Sequence, residues 1–134
     1  LTTSIDGALK GGYIVIRESD GPLDYSLIAT GSELSLAVGC AAALTAKGHN
    51  CRVISLPSFE VFDAQSKEYQ NEVLGNAAQT VSIEAQSSFG WHKYIGREGI
   101  AISIDRFGLS APAKDLAQHF GFTVPAILNR LGVS

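Results

Sequence analysis

The chain has 134 residues, 46% of them hydrophobic and 17% charged, and its 10 Lys+Arg against 13 Asp+Glu leave a net charge of −3. That length is one domain, and the composition excludes a disordered segment, which combines low hydrophobicity with high charge. The absence of a basic stripe excludes a nucleic-acid binder, and no apolar stretch approaches the ~20 residues that span a bilayer, so neither nucleic acid nor membrane is an expected partner.

The charged fraction is below the ~25% of an average globular protein, which points to buried helices or to surface that another protein covers. The two cysteines, Cys40 and Cys51, show no C-x-x-C spacing, and no signal peptide precedes them. Both features fit a reduced, cytoplasmic protein. The chain contains no methionine and begins at Leu1, so it reads as a piece of a longer protein.

Leu1 to Gly12 is polar and glycine-bearing and reads as a linker, with one domain over 13–134. Tyr13 to Ile16 is a β-branched run and a strand, and Glu18 to Asp24 carries turn chemistry. Tyr25 to Thr30 reads as a strand buried on both faces. Ser32 is placed to cap the helix that follows, Glu33 favours its positive end, and the helix runs to about Lys47 with Gly48 as its stop. Leu34, Val38, Ala41 and Leu44 keep its apolar period.

The alternation then repeats. Cys51 to Leu56 is a strand closed by Pro57, and Gln65 to Leu74 is a short helix after an Asp-bearing loop. Thr80 to Glu84 is a strand, Phe89 to Tyr94 a helical turn, and Ile100 to Ile104 the last strand. Ser110 caps a helix ended by Gly121, and Thr123 caps a final one. Strand–helix alternation with short links predicts an α/β fold: a three-layer α/β/α sandwich on a five-stranded, mostly parallel sheet. The first strand is expected to be an antiparallel edge, because the link over 17–24 is too short for a crossover helix.

Few residues offer chemistry. Gly31, Ser32 and Glu33 open a helix at the carboxyl end of a buried strand, where an anion can meet free amide groups. Ordinary capping is the favoured reading there. His49, His92 and His119 are not clustered, and Cys40 and Cys51 read as core or near-surface thiols. Glu60, Asp63, Glu84 and Asp105 lie at or after strand ends, placed either as acids and bases or as caps and ion-pair partners. The aromatic run Phe89-Gly90-Trp91-His92-Lys93-Tyr94 either closes the core or meets a partner. Phe89, Trp91, Tyr94, Asp105 and Arg106 are the interface candidates. No nucleophile–base set, phosphate loop or metal cage is visible.

The ordered series of motifs is more specific than any one of them. Gly31-Ser32-Glu33 is followed by Val53-Ile54-Ser55-Leu56-Pro57, Phe62-Asp63-Ala64-Gln65-Ser66 and Ser82-Ile83-Glu84-Ala85. Phe89-Gly90-Trp91, Ile104-Asp105-Arg106-Phe107-Gly108, Ser110-Ala111-Pro112 and Phe120-Gly121-Phe122-Thr123 complete it. In this order the chain resembles the C-terminal domain of the transketolase family over essentially its whole length. Lys10-Gly11-Gly12-Tyr13 is similar to the link from that family's middle domain.

The resemblance implies a homodimeric parent enzyme that moves a two-carbon ketol unit from a ketose phosphate to an aldose phosphate. It would use thiamine diphosphate and a divalent cation, Mg or Ca, held by the N-terminal and middle domains. The chain lacks the Gly-Asp-Gly…Asn pattern for that cofactor, so no catalytic, cofactor-binding or metal-binding residue is carried over to it. Three readings follow: a non-catalytic, structural, dimer-supporting or regulatory domain of a transketolase; a separate subunit of a split transketolase; or a small anion-binding module. The isolated chain is expected to be inactive.

Overall fold

The computed structural model describes residues 9–30, 33–84, 94, 99–102 and 123–133. In chain order its elements are β1 (Tyr13–Ile16), β2 (Tyr25–Ala29), α1 (Leu34–Ala46), β3 (Cys51–Ser55), α2 (Phe59–Asp63), α3 (Lys67–Leu74), β4 (Gln79–Ile83), β5 (Ile100–Ile102) and α4 (Val124–Arg130). The predicted strand over 100–104 is present over 100–102, and the helix placed after Ser110 lies outside the described residues.

The strands form one five-stranded sheet in the order β1-β3-β2-β4-β5. β2 runs parallel to both β3 and β4, and β4 parallel to β5. β1 is the expected antiparallel edge, pairing Tyr13 with Ser55 and Ile14 with Ile54, then slipping by a bulge before Ile16 meets Val53. Val15, at the bulge, is buried in the core.

Alternation along buried strands separates two faces. Leu27, Ala29, Val53, Val81 and Ile83 pack with α1 and with Ile127 and Leu128 of α4. Ile28, Ile54 and Leu56 face the other way and pack with Phe62 of α2, Val73 of α3 and Tyr94. This is the α/β/α sandwich.

On α1 the buried side chains are Ala37, Cys40, Ala41 and Leu44, while Leu34 and Val38 are only partly covered. The buried stripe is therefore rotated from the predicted one, because small side chains let the helix approach the sheet closely. Gly39 serves the next layer: a Cβ there would lie 3.0 Å from Val124 Cγ2 of α4. α1 ends in a Schellman motif, with His49 N donating to Leu44 O and Gly48, at φ +93°, donating to Thr45 O.

One charge lies inside this sheet. Every residue of β3 is buried, Arg52 among them at 6% exposure. Its Nε and Nη2 each donate to the Glu18 carboxylate at 2.7 Å, and Nη1 donates to Glu72 O at 2.8 Å and Val73 O at 3.1 Å. The hydrogen bonds from Arg52 hold the Glu18 carboxyl below its ordinary value of 4.5, against the opposing effect of burial. A carboxyl depressed by folding contributes its full stabilisation above its unfolded value and loses it as pH falls through the folded one. Glu18→Gln should therefore cost about 2–4 kcal/mol in urea unfolding at neutral pH, because it leaves a buried guanidinium uncompensated. The gap between wild type and variant should close progressively below about pH 4.5.

Candidate functional site

Open α/β sheets place ligands where successive crossovers diverge, at the carboxyl ends of the strands. Here β2 leads through α1 to β3 on one side, and β3 leads through α2 and α3 to β4 on the other. The divergence lies between β2 and β4. Thr30, just past β2, donates from Oγ1 to Glu84 Oε2 just past β4 at 2.7 Å. Glu84 N donates in turn to Ile102 O, which ties in the end of β5. Glu84 thus sets a carboxylate at the strand divergence. One step below on the same face, Ser82 Oγ is buried without a hydrogen-bond partner.

Of the anion-site candidates, Gly31 and Ser32 lie outside the described residues. Glu33 takes the N-cap position of α1 with no side-chain capping bond. Its N donates to Thr30 O at 3.0 Å, and the α-helix starts at Leu34.

On the other face, Ser58 caps α2 by accepting from Val61 N, and Ser66 caps α3 by accepting from Tyr69 N. The segment read from sequence as an Asp-bearing loop is therefore partly helical, over Phe59–Asp63. One turn is too short to show an apolar period; Ser58 three residues before Val61 was the available signal. α2 ends at Asp63, whose Oδ1 accepts from the Tyr94 hydroxyl at 2.7 Å. Tyr94 is 8% exposed and packs its ring against Phe59 and Phe62. This interface candidate faces the domain's own core, and burial first, then Asp63, holds its phenol protonated. Phe89, Trp91, Asp105 and Arg106 lie outside the described residues.

At the amino end of the sheet, Arg17, Asp20, His49, Asn50 and Cys51 help line an open cavity of about 380 Å³. Part of its polar wall is bonded internally. Asn50 donates from Nδ2 to Ser19 O and Pro22 O, and accepts from Ser19 N on Oδ1. Its backbone N donates to Asp24 Oδ2. Cys51 and Cys40 are buried, and desolvation pushes both thiols up to about 11. No three His, Cys, Asp or Glu side chains converge as a metal site among the described residues. No helix among them is long and apolar enough to cross a membrane.

The fold and its motif order agree with what comparison with known proteins shows. A family model for the transketolase-like C-terminal domain matches residues 11–123. The chain belongs to that family. A transketolase from Nostoc sp. is 53% identical over 127 residues, which is 94% of this chain and 19% of the relative. The chloroplastic transketolase of Craterostigma plantagineum is 49% identical over 94% of this chain and 25% of its own length. Among solved structures, transketolase from Leishmania mexicana superposes with a TM-score of 0.83 at 41% identity, over 96% of this chain and 18% of that one. A split gene transketolase described as an inactive β4 tetramer shares the fold, with a TM-score of 0.69 at 17% identity. The chain thus spans roughly a fifth of the length of the Nostoc transketolase.

Two outcomes follow from this transketolase domain's geometry. Tyr94→Phe should lower the urea-unfolding free energy by about 1.5–3 kcal/mol, the range for a hydrogen bond to a charged group. A loss within experimental error would show that the hydroxyl anchors nothing. Cys40 and Cys51 should both resist alkylation at neutral pH in the folded chain and both react once it is denatured, as read by intact mass.

Proposed function

We propose that this chain is the non-catalytic third domain of a transketolase, acting by packing against the two domains that carry the cofactor and by supporting the homodimer. The parent enzyme would transfer a two-carbon ketol unit from a ketose phosphate to an aldose phosphate. The observation that supports this most is the pairing of coverages: the match takes in 94% of this chain but 19% of the Nostoc relative.

Thiamine diphosphate and its divalent cation do not fit the residues described. The carboxylate at the strand divergence is bound to Thr30, and no cluster of three metal-ligating side chains converges among the described residues. The cofactor is proposed to be held by the other domains. Phe89, Trp91, Asp105 and Arg106 are proposed as surface covered in the assembled enzyme. The domain is proposed to cover 13–134, with the end of the preceding linker packed onto it, and the cytoplasm is proposed as the location. Relatives named as chloroplastic show that the compartment differs among these enzymes.

The test is reconstitution. The chain alone should neither bind thiamine diphosphate in calorimetry nor turn over ketose and aldose phosphates. Mixed with a polypeptide carrying the first two domains of a related transketolase, it should raise ketol transfer above that polypeptide's own rate. Saturable micromolar cofactor binding by the chain alone would overturn the proposal. The intact mass of the native polypeptide separates a domain of a longer enzyme from a free subunit.

A further inference from the structure

The residues just before β1 are built into the domain. Gly11 adopts φ +84°, which favours glycine, and a Cβ there would lie 2.4 Å from Phe62 N and 2.6 Å from Ser58 O. Both are backbone atoms of α2 and its cap, so no side-chain rotation relieves the clash. At Gly12 a Cβ would lie 2.5 Å from Leu56 Cδ1 and 2.9 Å from Phe62 Cδ1. Two successive glycines therefore let the backbone lie directly on the α2 end of the helical layer.

Polar contacts then hold the backbone there. Gly11 O accepts from Ser58 N at 3.1 Å. Gly12 O accepts from the Tyr69 hydroxyl of α3 at 2.7 Å. The Lys10 ammonium lies 4.6 Å from the centre of the Tyr69 ring, a cation–π contact, and that ring meets Phe62 edge-on with centroids 6.2 Å apart. Burial, then the charge of Glu72, keeps the Tyr69 phenol protonated, so the donor persists into alkaline solution. The packing stops abruptly: Leu9 is 72% exposed.

We infer that Lys10–Gly12 is a rigid strap, latched by Tyr69, which sets the direction from which the preceding polypeptide approaches the domain. A flexible tether over 1–12 would let a preceding domain swivel. The strap instead moves the pivot out to Leu9, and any rotation about Gly11–Gly12 must break the contacts with Ser58 and Tyr69. The consequence for a preceding domain rests on the proposed transketolase reading; the strap itself does not.

Amide hydrogen exchange on this chain tests the strap without reference to any activity. The Ser58 amide donates to Gly11 O, so it reports the strap. The Phe62 amide donates to Ser58 O inside α2, and Leu27 lies in the central strand, so both serve as controls. In the wild type, Ser58 should be protected at least about tenfold over an unstructured amide. Tyr69→Phe should speed Ser58 exchange roughly five- to tenfold and leave Phe62 and Leu27 within about twofold. An unprotected Ser58 in the wild type would overturn the proposal, because the strap would then be open in solution. Equal acceleration of Ser58, Phe62 and Leu27 would also overturn it, because Tyr69 would then support only global stability. If the variant fails to fold, the wild-type protection of Ser58 still decides the matter. Failure of the reconstitution assay would leave this exchange pattern unchanged, so the two readings fail separately.

Discussion

A guanidinium in the middle of a strand buried at every residue constrains much of this domain. Arg52 cannot reach bulk water, and an unpaired charge there would be prohibitive. Its donors are met by two separate pieces of chain: Glu18 after β1, and the carbonyls of Glu72 and Val73 in α3. The ion pair therefore orients the turn between β1 and β2 and the exit of α3 at once. Gly75 is part of the same arrangement. It sits at φ +69°, and a Cβ there would lie 2.6 Å from Arg52 Nη1. Ser26 on the neighbouring strand adds a bond to Leu74 O. A buried pair of this kind is weak evidence for net stability against an apolar alternative, but it is demanding about geometry. Its effect here is to hold the outer layer of α3 at one position on the sheet.

The two faces of the sheet achieve close packing differently. Under α1, small side chains and Gly39 allow near approach, and α4 stacks on top. Under α2 and α3, large rings fill the space, with Phe62 at the centre and Tyr69 and Tyr94 around it. Polar groups at both ends of the strands are largely consumed by internal bonds. Thr30 binds Glu84, Asp63 binds Tyr94, and Asn50 gathers the turn over 19–22. Buried polar groups that are already satisfied rigidify a fold and offer little to a substrate.

Local chemistry was legible in the sequence; long-range pairing was not. The strands of β-branched residues, the Gly48 stop and the Thr123 cap are signalled by residues within a few positions, and each appears in the structure. The antiparallel edge followed from the shortness of the 17–24 link. By contrast, Glu18 and Arg52 are 34 positions apart, and nothing near either names its partner. Tyr94 looked like an interface aromatic because its partner Asp63 is 31 positions away. The carboxylate at the strand divergence was noticed as Glu84, but its bond to Thr30 depends on the parallel register that sets Ala29 beside Ile83. Glu33, read as favouring the positive end of that helix, stands at its N-cap, with the α-helix starting at Leu34.

The short helix that sequence periodicity missed links two otherwise separate parts of the chain. At its amino end, Ser58 receives the backbone of Gly11; at its carboxyl end, Asp63 receives the hydroxyl of Tyr94. Between them, Phe62 is fully buried and packs against the rings of Tyr69 and Tyr94. A displacement of the incoming strap would press on Phe62 through Gly12, and Phe62 cannot yield without disturbing Tyr94. Close-packed protein interiors transmit strain of this kind. The path of the chain into the domain and the placement of Tyr94 are thus coupled through a single turn of helix, stabilised chiefly by the burial of one phenylalanine and too short to stand alone.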